Sequence, residues 1–196
     1  MIKWVVSYFE PFDSARSNSS QILAERLKGQ LSGIEFVGPL PVSFEQAWPV
    51  LQNFVQQHNP SIGILALGQA ESRRKISLEM AALNRIDARI SDNQGNQPRL
   101  IPVRNGPDLL WSKIQWAKFP ENSLTERSYS AGTFVCNSLM YEICHYCMNS
   151  ELLGGFVHIP LLDFQSEPQF EGLPKVSTES AVETLRDVLQ FLCRPA

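Results

Sequence analysis

Short apolar runs rich in Ile, Val and Leu alternate along the chain with longer segments in which apolar residues recur every three or four positions. Ile2 to Ser7 reads as a first buried strand. A polar stretch from Glu10 to Ser17 leads into a helix whose Ile22, Leu23, Leu27 and Leu31 share one face, with Asn18 or Ser19 as its cap. Ile34 to Val37 is a second strand, and Phe44 to His58 a second helix, interrupted or begun near Pro49. Ser61 to Leu67 is apolar almost throughout, as a strand covered on both faces should be. Leu78 to Leu83 is ambiguous between strand and helix, because so short an apolar run does not declare its period. The run Asp92-Asn93-Gln94-Gly95-Asn96-Gln97-Pro98 is dense in turn formers and predicts an exposed connection. Pro107 to Trp116 is predicted helical, with Leu109, Leu110 and Ile114 inward. Phe134 to Cys147 is a further helix, and Gly155 to Ile159 an inner strand stopped by Pro160. Thr178 to Leu192 closes the pattern with a broad stripe of Val182, Leu185, Val188, Leu189 and Leu192. Alternating strands and helices predict an α/β layered architecture. No repeat, linker or low-complexity segment interrupts the pattern, so one domain is expected over residues 1–196.

Composition narrows the function classes. Of 196 residues, 43% are hydrophobic and 19% charged, with a formal net charge of −3 and no long basic run. Nucleic-acid binding is therefore not expected, since it needs clustered Lys and Arg to displace counterions. No apolar stretch approaches the roughly 20 residues that span a bilayer, so no membrane partner is expected. The first residues meet Glu10 too soon for a signal peptide. All four cysteines, Cys136, Cys144, Cys147 and Cys193, fall in the last third, which is no disulfide framework for the whole chain. Free thiols suit a reducing compartment, and a cytoplasmic protein is the expectation.

The segment Ser130-Ala131-Gly132-Thr133-Phe134-Val135-Cys136-Asn137 carries the sharpest chemical signal. A loop of mostly small residues runs into an amphipathic helix, and Cys136 falls in its first turn. Unpaired N–H groups and the positive helix end there favour a thiolate and can stabilise an oxyanion. The alternative is a buried structural cysteine. Three histidines could serve as base. His58 precedes Asn59-Pro60 at a surface corner, and His145 lies several turns along the helix that begins near Cys136. His158 emerges at the end of an inner strand, where ligands gather in open α/β sheets; a strand-end histidine satisfied by backbone partners is the alternative. Glu79 is a charge embedded in an apolar run, which demands a partner if buried. Asp87, Arg89 and Asp92 form a charged cluster that could equally be a mutually paired loop. Cys144-His145-Tyr146-Cys147 lacks a second ligand pair for structural zinc and lies at the wrong end of a helix for a redox pair, so packing is the better reading. Neither familiar glycine-rich phosphate loop is present.

Several segments, in order, resemble the type I pyroglutamyl peptidases, also called pyrrolidone carboxyl peptidases. They are Phe9-Glu10-Pro11-Phe12 with Asn18, Gly68-Gln69-Ala70 through Glu79 to Asn84, Asp87-Ala88-Arg89-Ile90 with Asp92-Asn93 and Gly95 to Pro98, Ala131 to Asn137, and Gly155 to Pro160. The resemblance spans nearly the whole chain. It implies a single-domain three-layer α/β/α sandwich with a mixed, mostly parallel central sheet, no metal or other cofactor, and often a homotetramer. It implies a cysteine peptidase that removes N-terminal pyroglutamate from peptides, with Cys136 as nucleophile, His158 as base and Glu79 orienting it. Arg89 falls where the family has an arginine near the nucleophile. Phe9, Phe12, Gln69, Ile90, Phe134 and Val135 fall at pocket-lining positions, with Asn18 also at the substrate site. A pyroglutamyl ring is a flat, neutral lactam, and a pocket of aromatic faces with a few hydrogen bonds suits it.

The chain departs from the family at two glycine pairs, which are Asp13-Ser14 and Glu71-Ser72 here. Glycine permits positive φ and close backbone approach, so these loops are expected to follow altered paths and to set two carboxylates near the pocket mouth. The competing function is a family member that binds blocked N-termini without efficient turnover.

Overall fold

In the computed structural model, which describes residues 2–120 and 122–194, the first strand feeds two cores. β1 (Trp4–Phe9) turns Trp4, Val6 and Tyr8 to one face of a sheet and Val5 and Phe9 to the other, the period of two that a strand imposes. Every residue of β1 is buried, because the sheet is covered on both sides.

The sheet has six strands in the order β2-β1-β3-β8-β4-β7. They are β2 (Ile34–Leu40), β1, β3 (Gly63–Gln69), β8 (Leu153–Ile159), β4 (Ile76–Glu79) and β7 (Thr125–Ser128). Pairing is parallel from β2 through β8 and between β4 and β7, and antiparallel only where β4 meets β8. Two small ladders stand apart: β5 (Ala81–Leu83) with β6 (Leu109–Trp111), and β9 (Leu161–Leu162) with β10 (Lys175–Val176).

Helices α1 (Ser19–Leu27) and α4 (Thr178–Cys193) cover one face, through Leu23, Ala24 and Leu27 and through Ala181, Leu185, Val188, Leu189 and Leu192. The Trp4 indole N–H donates to the Leu192 carbonyl at 3.1 Å, tying the end of α4 to β1. Helices α2 (Ala47–His58) and α3 (Val135–Cys147) cover the other face with Leu51, Val55, Leu139, Met140 and Ile143. The result is three layers, α/β/α, as expected. No helix among the described residues is long and apolar enough to cross a membrane.

Pro49 lies in the first turn of α2, where its missing N–H costs nothing, so α2 begins there rather than breaking. The ambiguous run at 78–83 divides into the end of β4 and all of β5. The helix predicted over Pro107 to Trp116 does not form. Leu109, Leu110 and Trp111 pair with β5 instead, with Leu110 buried and Trp111 exposed, and a 3-10 turn follows at Trp116–Lys118. Three inward apolar residues fit either period, and an available strand partner decided between them.

Candidate active site

The parallel strands β1, β3 and β8 end on one edge of the sheet, and the antiparallel entry of β4 brings a carboxylate to that edge. His158 on β8 lies between Gly68 of β3 and Ser77 of β4 in register. Glu79 follows Ser77 by two residues and so shares its face, which makes it the diagonal neighbour of His158. The His158 Nδ1 and Glu79 Oε1 atoms are 2.8 Å apart, and both side chains are buried. This bond fixes the ring orientation and makes Nδ1 the protonated nitrogen whenever Glu79 is ionised.

Glu79 has no exposed surface, and its Oε2 has no partner among the described residues. Charge compensation arrives at Oε1. Besides His158, the Arg73 guanidinium donates to that atom at 3.1 Å. Arg73 also donates to the Ser130 carbonyl at 2.9 Å and to Ser77 Oγ at 3.1 Å, and lies 3.5 Å from Glu126 Oε1. Arg73 was missed by sequence reasoning; its position in the segment that begins Gly68-Gln69-Ala70 was the only signal.

Cys136 is the second residue of α3, on the face that carries His158. No side chain caps this helix at Phe134, so the first-turn N–H groups are free of a side-chain acceptor. The loop before it turns at Gly132, whose φ of 82° suits glycine. Asn137 holds the helix start in place: its amide donates to the Leu83 and Arg85 carbonyls and accepts from the Leu83 N–H. Thr133 and Asp87 exchange two further bonds. Gly68 leaves room for the sulfur, since a Cβ there would stand 3.0 Å from Cys136 Sγ and 2.7 Å from the Phe156 ring. Cys136 keeps part of its surface open, yet burial, and then the Glu79 charge, push its thiol up to about 12, against the pull of a hydrogen bond from its own backbone. Burial thus works against the thiolate that the helix end favours, and a proton acceptor beside the sulfur would offset it.

The aromatic positions gather beside this group. Phe134 stacks at a tilt on Phe12, centroids 5.2 Å apart, and meets Phe44 edge-on at 5.1 Å. Ile90 is 48% exposed. Phe9 and Val135 are buried, Phe9 lying 6.5 Å from the Phe156 ring, so neither presents an open surface. Gln69 Oε1 accepts from the Ser19 N–H and hydroxyl and from the Gln165 amide. Asn18 is buried, its amide nitrogen donating to the Glu10 carbonyl and its oxygen accepting from the Ser20 N–H and hydroxyl, so it shapes the loop carrying Phe12. Arg89 is exposed, and its guanidinium makes no hydrogen bond or ion pair among the described residues. The paired-loop alternative for it does not hold, because Asp87 pairs with Arg99 and Asp92 accepts the Phe44, Gln94 and Asn96 N–H groups.

At the two departures, the glycine-like path persists at Asp13 and Ser14, contrary to expectation. Their φ values are 50° and 62°, and the Ala15 N–H closes the turn on the Phe12 carbonyl at 3.0 Å, the φ pattern of a type I′ turn. Gln169 donates to the Asp13 carbonyl at 3.1 Å and helps hold it. Glu71 is half-buried; burial, and then the Asp13 charge, raise its carboxyl above the ordinary range, against a hydrogen bond with Gln69. Cys144 and Cys147 are buried packing residues of α3.

The class defined here is that of three-layer α/β/α proteins, with a helix-start cysteine and a carboxylate-bonded histidine at the strand ends. The sequence model of the pyroglutamyl peptidase family matches residues 2–193. The chain is 40% identical to the pyrrolidone-carboxylate peptidase of Erwinia tasmaniensis, over 85% of this chain and 81% of that one. It is 36% identical to that of Coprothermobacter proteolyticus, over 83% of each. Its fold is similar to pyroglutamyl peptidase I of Bacillus amyloliquefaciens, with a TM-score of 0.81 at 32% identity over 95% of this chain and 93% of that one. A mutant pyrrolidone carboxyl peptidase of Pyrococcus furiosus gives 0.86 at 28% identity over 98% of each. The chain belongs to the pyroglutamyl peptidase family. It is a peptidase, a hydrolase of peptides, and the family's activity is removal of N-terminal pyroglutamate.

Proposed function

We propose that this chain hydrolyses the bond after an N-terminal pyroglutamyl residue through a thioester on Cys136, with residues 1–196 acting as one catalytic domain. Supporting this reading above all is the 2.8 Å Glu79–His158 contact on the face where α3 delivers Cys136. With Nδ1 committed to Glu79, the other ring nitrogen is the base. It takes the Cys136 proton as the sulfur attacks the pyroglutamyl carbonyl, a transfer suited to a thiol that burial pushes up. The oxyanion that forms is held by N–H groups of the first turn of α3. The imidazolium returns the proton to the departing amine, leaving the thioester. Water, deprotonated by the same imidazole, then releases pyroglutamate and restores the thiol.

The lactam ring packs against Phe12 and Phe134, with Ile90 over it and Phe9 and Val135 beneath, while Gln69 and Asn18 hold the walls. Such a site favours a flat neutral ring over a charged amine by leaving no counter-charge among its aromatic faces. Arg89 contributes positive potential from the rim. The expected partners are pyroglutamyl peptides, and a homotetramer is the assembly proposed by family resemblance. Release of a fluorogenic amine from pyroglutamyl amide tests the reading. Turnover that is lost in Cys136→Ala and in His158→Ala supports it, whereas tight binding of a blocked N-terminus without turnover would favour a non-catalytic binding protein.

A further inference from the structure

Glu79 poses an electrostatic problem that His158 alone does not solve. A carboxylate without solvent contact loses its hydration, and a neutral imidazole offers one hydrogen bond but no charge. Four titratable or charged side chains face it directly or through a neighbour. His158 approaches from β8, and Cys136 from α3 senses its charge. Arg73 reaches it from the loop after β3, and Glu126 on β7 lies beyond Arg73. Arg73 is therefore the permanent cation of the group. Its side chain is 25% exposed, so the guanidinium is screened only in part.

The contacts of Arg73 reach beyond Glu79. Its Nη2 serves both Glu79 Oε1 and the Ser130 carbonyl, and its Nη1 serves Ser77 Oγ on the rung beside His158. Ser130 opens the loop that ends at Cys136. One planar guanidinium thus links the strand bearing the carboxylate to the loop bearing the cysteine, a task for a fork of donors rather than for a single ammonium.

We propose that Arg73 is a positioning residue of the reaction: it pairs with the buried Glu79 side chain and fixes the nucleophile loop against it. The proposal rests on the assignment of Cys136, His158 and Glu79 as the reacting set. Glu79 is what orients the His158 ring and stabilises the imidazolium formed when Cys136 gives up its proton. Without Arg73, the Glu79 side chain loses a partner and the loop before Cys136 loses its tie to β4, so the reacting groups fall out of line and turnover drops.

The test is kcat and KM, taken separately, for the wild type, Arg73→Met and Arg73→Lys, with Cys136→Ala in the same series and thermal unfolding as a check on folding. For Arg73→Met kcat falls roughly tenfold or more through misplacement of the loop, while KM hardly changes. Arg73→Lys recovers only part of kcat, because a single ammonium cannot keep the links to both Glu79 and Ser130. If Arg73→Met does not fold, Arg73→Gln carries the same comparison. An unchanged kcat in the folded uncharged variant, or a loss that falls on KM alone, overturns the proposal. Activity in Cys136→Ala instead discards the reacting set itself, so the two failures are distinguishable.

Discussion

Gly68 and Cys136 approach so closely that a single methyl group on the glycine would stand 3.0 Å from the sulfur. The same methyl would meet the Phe156 ring at 2.7 Å, and Phe156 is packed without exposed surface. Neither neighbour can yield without moving the site. Gly68→Ala is therefore expected to lower kcat on the order of a hundredfold, the scale of a 1 Å misplacement of a reacting group. Steady-state kinetics beside a melting curve checks it; unchanged kcat would show that the sulfur's position is not set by β3.

Alkylation should single out Cys136. Burial lifts the Cys144 and Cys147 thiols to about 12 and about 11, and both are closed to reagent. Cys136 has a thiol as high, but it is partly open and has His158 to accept its proton. Iodoacetamide at neutral pH is expected to label Cys136 first. In His158→Ala that labelling should slow and then climb steeply only in strongly alkaline solution, because a thiol pushed up to about 12 gains its thiolate there. Peptide mapping decides, and preferential labelling of Cys144 or Cys147 would contradict the proposed roles.

The strands, the helices and the site differ in how openly the sequence declares them. The stripes of α1 and α4 and the solid apolar run of β3 are written in periodicity, because each buries one long continuous surface. Leu109 to Trp111 was not readable as a strand, since its partner, Ala81 to Leu83, lies more than twenty residues away. Thr125 to Ser128 carries no apolar signal at all: β7 is an edge strand, and its Glu126 and Arg127 lie half-buried on opposite faces of the sheet. Cys136 and His158 stood out by type and position. Arg73 did not, because a cation in a polar loop shows its purpose only once β4 has folded beside it.

Arg89→Ala is expected to lower kcat/KM by roughly a hundredfold if its charge serves the developing oxyanion. Its exposed side chain bears no ion pair among the described residues, so the melting temperature should hardly change. A lowered melting temperature with unchanged kinetics would assign it to the scaffold instead.

The carboxylates of Asp13 and Glu71 should bias the residue accepted after pyroglutamate. Glu71 senses the Asp13 charge and bonds with Gln69 beside the proposed pocket. Pyroglutamyl-lysine peptides should be cleaved with higher kcat/KM than pyroglutamyl-glutamate peptides at low salt. The preference should shrink as salt rises, since exposed charges are screened over about 10 Å at 0.1 M. It should also fade on acidification at a higher pH than an ordinary glutamate would give, because the Glu71 carboxyl is raised and so loses its charge earlier. Equal specificity constants at low salt would mean that both side chains point away from the peptide.

Mass spectrometry of enzyme quenched in acid during turnover decides whether Cys136 carries the pyroglutamyl group as a thioester. A pyroglutamyl adduct is expected on the peptide containing Cys136, absent from Cys136→Ala, which should also be inactive and folded. An adduct on another residue, or sustained turnover by Cys136→Ala, would contradict it.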